Sequence, residues 1–525
     1  MPEEPLHKQQ STPTSEDKTG RDRLARNVVV SWISQLVFVA FGFILPRLIS
    51  DSLGQVSLGI WDFSWAFVSY LNLAMLGIGS AVNRFVAVHR AKNDNKKLNG
   101  IVSSVLIIQL GISTSIAAIV LCLYHWIPIW FADRLGADVG DAQYVTLLLG
   151  FSVAIKMALD SYRGVITGCH RWDIHNLINS SQYLVSALLM IMVLVSGYGL
   201  RALAQVYLVV LASFEVFAMF VAHKLCPELS IRVSAVNLKD MKEITVFGVQ
   251  KFVIGIGETV LIQTINVLIV AKLGPGALAV FARPIALLRH IRLFGAKFSH
   301  VMTPTVSSLQ AIQTESEVKK FAINVSRVGC AIGLPPTMFF MIYGPEVIRI
   351  WMGESYVVSD VILILSISAT LAVVYGPALS ILVGLNRHGA AAKICVPVWI
   401  LSVFIGITWA NLSDWSLFEA ALLLAISQLV VHLLIVPLFL AKALDMTWFE
   451  YLYVSYASVV AMNIACCVVL LILRELVEGS LATRLSAGLL VQSLIIVPLY
   501  WMFVVPDNVK YRFLRKLGIG GRAGA

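Results

Sequence analysis

The residues best equipped for chemistry lie in one stretch, Phe281 to Pro304 (FARPIALLRHIRLFGAKFSHVMTP). It is apolar and long enough to cross a bilayer, yet it carries Arg283, Arg289, Arg292 and Lys297, with His290 and His300 among them. An ionised side chain at bilayer depth costs at least about 2.5–3.5 kcal/mol, so such groups normally face protein or water rather than lipid. At about 100° per residue, Arg283, His290 and Lys297 share one helix face, with Arg289 and His300 close beside it. A stripe of this kind predicts a wet, cationic cavity that binds anions. The competing reading is structural: Arg283 and Lys297 snorkel to opposite surfaces, and the middle arginines pair with acids on other helices. Arg289 and Arg292 stand near the helix centre, which snorkelling does not serve.

Further charges fall inside apolar segments. Asp62, Trp65, Ser69 and Asn72 share one side of the second span, with Arg84 at its inner end. Lys156, Asp160 and Arg163 share a face of the fourth span, and Lys156–Asp160 reads best as an intrahelical pair. Lys251 and Glu258 stand one heptad apart in the seventh span, roughly 10 Å along the axis and too far for a direct bond. Glu258 either neutralises an arginine of the eighth span or binds a coupling cation. Arg47, after Pro46, belongs either to the cavity or to the membrane interface. Glu215 and His432 are isolated and are expected to be satisfied inside the bundle. Trp126, Trp130, Trp351, Trp415 and Trp448 lie near span ends and read as interfacial anchors.

The elements that position these residues follow from composition. The 525 residues are 58% hydrophobic and only 13% charged, with mean hydropathy +0.82, which predicts an all-α polytopic membrane protein. The net charge of +10 is a matter of membrane topology and not of nucleic-acid binding. Seven scattered cysteines without paired spacing read as small hydrophobes. No Ser–His–Asp order, phosphate loop or His/Cys cluster stands out, so neither enzyme chemistry nor a metal or cofactor is expected.

About fourteen spans of roughly 20 residues can be drawn. With the N-terminus inside, inner segments hold about 25 Lys/Arg and outer loops about 6. Locally, SDSLGQVS (50–57) has none while NRFVAVHRAKNDNKK (83–97) has five. Both termini are therefore expected in the cytoplasm. The longest outer loop, around 124–143, has about twenty residues, too short for the large outer domain expected of a membrane polymerase or glycosyltransferase.

Short motifs recur six spans apart. Leu53-Gly54 stands opposite Leu273-Gly274, KKLNGIVSSV (96–105) resembles KKFAINVSRV (319–328), and TGCHR (167–171) matches VGLNR (383–387). An offset of six spans preserves orientation, so the repeat is parallel. The expected organisation is a disordered cytoplasmic tail (1–23), a six-helix lobe (24–223), a basic linker (224–243), a second six-helix lobe (244–441), a C-terminal helix pair (442–505) and a basic cytoplasmic tail (506–525).

Three stretches carry a family resemblance: RNVVVSWISQLVFVAFGFILPRLISDSLGQVSLGIWDF, LGIGSAVNRFVAVHRAKND, and LGPGALAVFARPIALLRHI with FSHVMTPTVSSL. Over roughly 24–505 the chain resembles polysaccharide transporters, the O-antigen flippase-like branch of the multidrug/oligosaccharidyl-lipid/polysaccharide exporter superfamily. The resemblance implies two six-helix lobes around a V-shaped cavity that opens alternately to either side of the inner membrane. It implies an undecaprenyl-pyrophosphate-linked oligosaccharide as cargo, with polysaccharide-assembly enzymes as further partners, and likens the last two spans to a lipid-tail groove. On that reading Arg283, Arg289, His290, Lys297, Arg47 and Arg84 hold the diphosphate, while Asp62, Lys251 and Glu258 balance charge or couple an ion. An ion-coupled small-molecule exporter of the same superfamily is the alternative.

Overall fold

The computed structural model describes residues 19–511 apart from 76–77, 233, 235, 313, 506 and 508–509, with side chains from 35 onward except 75–81, 238–240, 242–255, 297, 299–301, 304 and 311–312. The side chains of Lys251, Lys297 and His300, and residues 1–18 and 512–525 of the two tails, thus lie outside the described residues, while 19–23, expected as part of a disordered tail, are the first turns of a helix. All regular structure among the described residues is helical. The first group of helices comprises α1 (Thr19–Asn72), α2 (Ile78–Ala91), α3 (Asn95–Leu135), α4 (Val139–Gly168), α5 (Trp172–Val195) and α6 (Leu200–Leu225). The second comprises α7 (Leu238–Leu273), α8 (Pro275–Ile312), α9 (Glu315–Met352), α10 (Ser359–Gly384), α11 (His388–Leu412), α12 (Leu417–Gln428) and α13 (Val436–Ala443). After the short α14 (Trp448–Leu452) come α15 (Ser458–Leu476) and α16 (Leu481–Phe503), which pack on α9.

Eleven stretches among the described residues are long and apolar enough to cross a membrane. Two of them contain a turn: Gln35–Asn72 breaks at Gly54, and Asn95–Gly168 turns at Gly136–Asp138. Dividing these and adding α8, whose arginines depress its hydropathy, gives the fourteen spans expected from the sequence.

Backbone geometry gives the sequence repeat a physical basis. Gly54 and Gly274 have φ of 87° and 88°, and each reverses the chain between two spans. His170 and Asn386, aligned through TGCHR and VGLNR, have φ of 57° and 54°. A third pair appears only in the structure: Gly136 and Gly353 end α3 and α9 with φ of 53° and 100°. Left-handed backbone is costly for most L-residues, so these reversals hold glycine or residues that tolerate αL through polar side chains.

Two expectations about span boundaries need correction. The loop placed at 124–143 is mostly helix: α3 continues through Pro128 to Leu135, leaving the three-residue turn Gly136–Asp138 before α4. Apolar residues at helical spacing (Ile127, Phe131, Leu135) are buried there and keep the chain coiled. The second span, which the apolar run 57–82 predicts as a single helix, is not continuous either: α1 ends at Asn72, a 3₁₀ turn follows at Leu73–Met75, and α2 starts at Ile78.

The two groups meet where α1 crosses α7 and α8 and where α3 meets α7. Backbone approaches backbone closely at Gly59, where a Cβ would lie 1.8 Å from the Pro275 carbonyl oxygen. No side chain fits that approach. Gly59→Leu is therefore expected to hold the groups apart at this end, raising the labelling of a Ser50→Cys reporter by a thiol reagent. Unchanged labelling in the Gly59→Leu background would remove this steric account.

Candidate functional site between the helix groups

The interface is built from side chains of α1 on one side and of α7, α8 and the end of α9 on the other. Arg47 donates to Asp51 at 2.7 Å and to the Trp351 carbonyl at 3.1 Å. Trp351 returns the bond, its indole N–H donating to the Phe43 carbonyl at 2.8 Å. The Ser50 and Tyr356 hydroxyls lie 2.7 Å apart, and the Gln55 amide donates to the Gly276 carbonyl at 3.0 Å. Arg47 is thereby placed in the contact between helix groups, and Trp351 is part of the same contact, not an interfacial anchor. Trp415 is likewise buried, packed edge-on against Trp409.

One step along α8, Arg283 is buried and its guanidinium bonds the Asp62 carboxylate of α1. This ion pair joins the two groups and brings the polar side of the second span against the basic stripe of the eighth at Asp62. It also removes Arg283 from the free cations. His290 is taken up differently: its ring stacks on Phe43 at 5.7 Å and meets Phe38 edge-on at 6.1 Å, which makes it a packing element. Gly42 leaves room for this ring.

Arg292 turns into the second helix group. It donates to both oxygens of Glu258 on α7, one at 2.7 Å, and Gln428 of α12 donates to the same carboxylate at 2.9 Å. Of the two roles open to Glu258, neutralising an arginine is the one observed. Beside this pair, His432 is buried in the π-helical segment Leu429–Ile435, its ring 6.4 Å from Trp399. Neither ring nitrogen has a hydrogen-bond partner among the described residues, contrary to the expectation that it would be satisfied.

A second buried network lies within the first group. Arg163 donates to both carboxylate oxygens of Glu215 at 3.0 and 2.8 Å, and to Asn179 and Gln182. Glu215 is thus satisfied, as expected, but Lys156 and Asp160 form no ion pair with each other. Arg163 and Glu215 are 6% and 1% exposed, so removing one partner strands the other charge in a dry interior. Glu215→Ala is expected to cost about 3–5 kcal/mol, read as lost thermal stability and lower membrane abundance. The double change Arg163→Met with Glu215→Leu should recover most of the loss; if it does not, burial cost is not the cause.

What remains is Arg289. It is exposed and makes no hydrogen bond or ion pair with any described residue. It lies close enough to Asp62 of the first group and to Arg283 for its charge to act on both, which sets it beside the ion pair that joins the groups. Arg84 is exposed on α2. Among the described residues of α8, then, Arg283 and Arg292 are neutralised and Arg289 is not. Helical spacing located the cationic face but could not show which cations other helices would consume.

Residues 44–361 match the family described as polysaccharide biosynthesis protein. The chain belongs to this family. A Shigella flexneri protein described as a putative O-antigen transporter is 22% identical over 352 residues, covering 63% of this chain and 79% of its own. Among solved structures, the lipid II flippase MurJ in an inward closed conformation superposes with a TM-score of 0.67 at 12% identity, over 93% of this chain and 99% of that one. An inward-facing multidrug resistance MATE family transporter of the MOP superfamily gives 0.63 at 13% identity, over 80% and 97%. These likenesses establish an all-α membrane-transporter fold for this member of the polysaccharide biosynthesis family, and they bear out the resemblance to O-antigen flippase-like proteins.

Proposed function

We propose that the protein flips a lipid-linked sugar diphosphate of the undecaprenyl type across the cytoplasmic membrane by alternating access. The observation that carries this reading is Arg289, an exposed guanidinium without an ion-pair partner of its own, beside the Arg283–Asp62 pair that joins the helix groups. A guanidinium presents a planar fork that matches two phosphate oxygens, which makes it better suited to a diphosphate than to a cationic drug. The sugar and diphosphate travel through the wet space while the prenyl tail stays in lipid. With the termini in the cytoplasm, the end closed by Arg47, Ser50, Gln55 and Gly59 faces outward, so this state is the one that loads from inside. An anion on Arg289 stands beside Asp62 and competes with it for Arg283, weakening the ion pair that ties α1 to α8. Loading thereby favours opening at the far end.

The deciding experiment deletes the gene and identifies the lipid-linked sugar that builds up on the cytoplasmic leaflet. Accumulation that is cleared by the restored gene is the expected result. Normal surface glycans with heightened drug sensitivity would replace this reading with that of a small-molecule exporter.

A further inference from the structure

Away from the interface, an apolar groove runs between α3 and α4 and is closed at one end by the segment that links the helix groups. Its wall includes Leu106, Ile107, Leu110 and Leu159, and its end holds Tyr162 and Arg232. The cavity measures about 230 Å³. Spread over the roughly 10 Å of helix rise from Ser103 to Leu110, that volume has the cross-section of a single hydrocarbon chain.

The closed end is built, not incidental. Asn99 clamps the linking segment from both sides, donating to the Glu228 carbonyl at 3.0 Å and accepting from the Ser230 amide at 2.8 Å. Ser103 accepts from the Arg232 amide at 3.1 Å, and Ser104 from the Asn237 amide at 3.0 Å. These bonds fix the Arg232 backbone over the groove. Its side chain uses only Nε, donating to Ser230 at 3.2 Å, and leaves both terminal nitrogens without a partner among the described residues. Tyr162 is 7% exposed, and its hydroxyl likewise makes no hydrogen bond with a described residue. An accessible, unpartnered hydroxyl on an otherwise buried tyrosine and an open guanidinium at the end of an apolar trough ask for a ligand with an apolar chain and an anionic, ester-bearing head.

We propose that this groove binds an anionic glycerophospholipid, with one acyl chain against α3 and α4, its phosphate on Arg232 and an ester oxygen on Tyr162. The site lies at the end of the first helix group where α3 begins and α6 ends, the place a headgroup would occupy on a chain that spans the bilayer. A lipid held there fastens the linking segment to the first helix group.

The test uses the purified full-length protein, with phosphatidylglycerol or phosphatidylcholine of matched chains added in detergent and retention read by native mass spectrometry. Phosphatidylglycerol should be retained in preference to phosphatidylcholine, and Arg232→Ala should reduce that preference about fivefold, the worth of one basic residue near anionic headgroups. Ala158→Trp, which fills the groove, should abolish retention of both; Leu110→Trp, at an exposed position, serves if that variant does not fold. Equal retention by the parent and both kinds of variant would overturn the proposal, since the lipid would then be an unspecific annulus. Displacement of phosphatidylglycerol by an equimolar prenyl diphosphate would overturn it too, assigning the groove to the carrier lipid.

Discussion

Arg289→Ala is expected to cut transport by about one to two orders of magnitude while the protein remains in the membrane at normal abundance. The side chain has no described partner, so its removal strands no buried charge and opens no cavity in the core. What is lost is a charge-assisted contact worth about 1.5–3 kcal/mol, a drop of about ten- to hundredfold in the flux it supports. Arg289→Lys should retain part of the activity, because the charge survives but the planar fork does not. Arg283→Ala should behave otherwise, leaving Asp62 half-buried without its counter-ion and loosening α1 from α8. Complementation measured beside membrane abundance separates the two. Full activity of Arg289→Ala at normal abundance would eliminate the cationic-cavity mechanism.

Cross-linking the closed end should stop the cycle outright. Val56 Cγ2 lies 3.9 Å from the position a Cβ would take at Gly276, so Val56→Cys with Gly276→Cys places two thiols within disulfide reach. These positions belong to α1 and α8, one on each helix group. Under oxidation, transport by the double variant should fall to background, and a reductant should restore it. Each single variant should be indifferent to oxidation, which controls for the native cysteines. Transport that continues through the oxidised double variant would show that this end need not open.

Much of the architecture was legible because membrane burial writes it in hydropathy. Fourteen spans could be drawn, and the repeat was visible at Gly54 and Gly274, where steric demands on φ leave few residue choices. The Gly136–Gly353 pair was invisible because its flanking residues share no motif. The end of α3 was misread because Trp126 and Trp130 resemble interfacial loop residues, although Ile127 and Phe131 keep the helix packed. At the site, composition announced the arginines, but their fates depend on acids of other helices, 221 positions away for Arg283 and 34 for Arg292. Arg283 finds Asp62, Arg292 finds Glu258, and a helical wheel of α8 alone contains neither fact. His290 illustrates the same limit, since its partners Phe38 and Phe43 come from the first span.

The accounting of these ion pairs also sets how the transporter should respond to voltage. With Arg283 and Arg292 each neutralised by a carboxylate, the described residues of α8 leave Arg289 as one uncompensated positive charge at the site. Moving one elementary charge through a membrane potential is worth about 2.3 kcal/mol per 100 mV. Under the proposed function, an inside-negative potential therefore draws the empty site toward the cytoplasm, the side on which that reading has cargo loaded. A doubly ionised diphosphate reverses the sign of the loaded site, and the same field then pushes it outward. One unpaired arginine would thus let the resting potential drive both halves of the cycle in the productive direction, with no separate coupling ion.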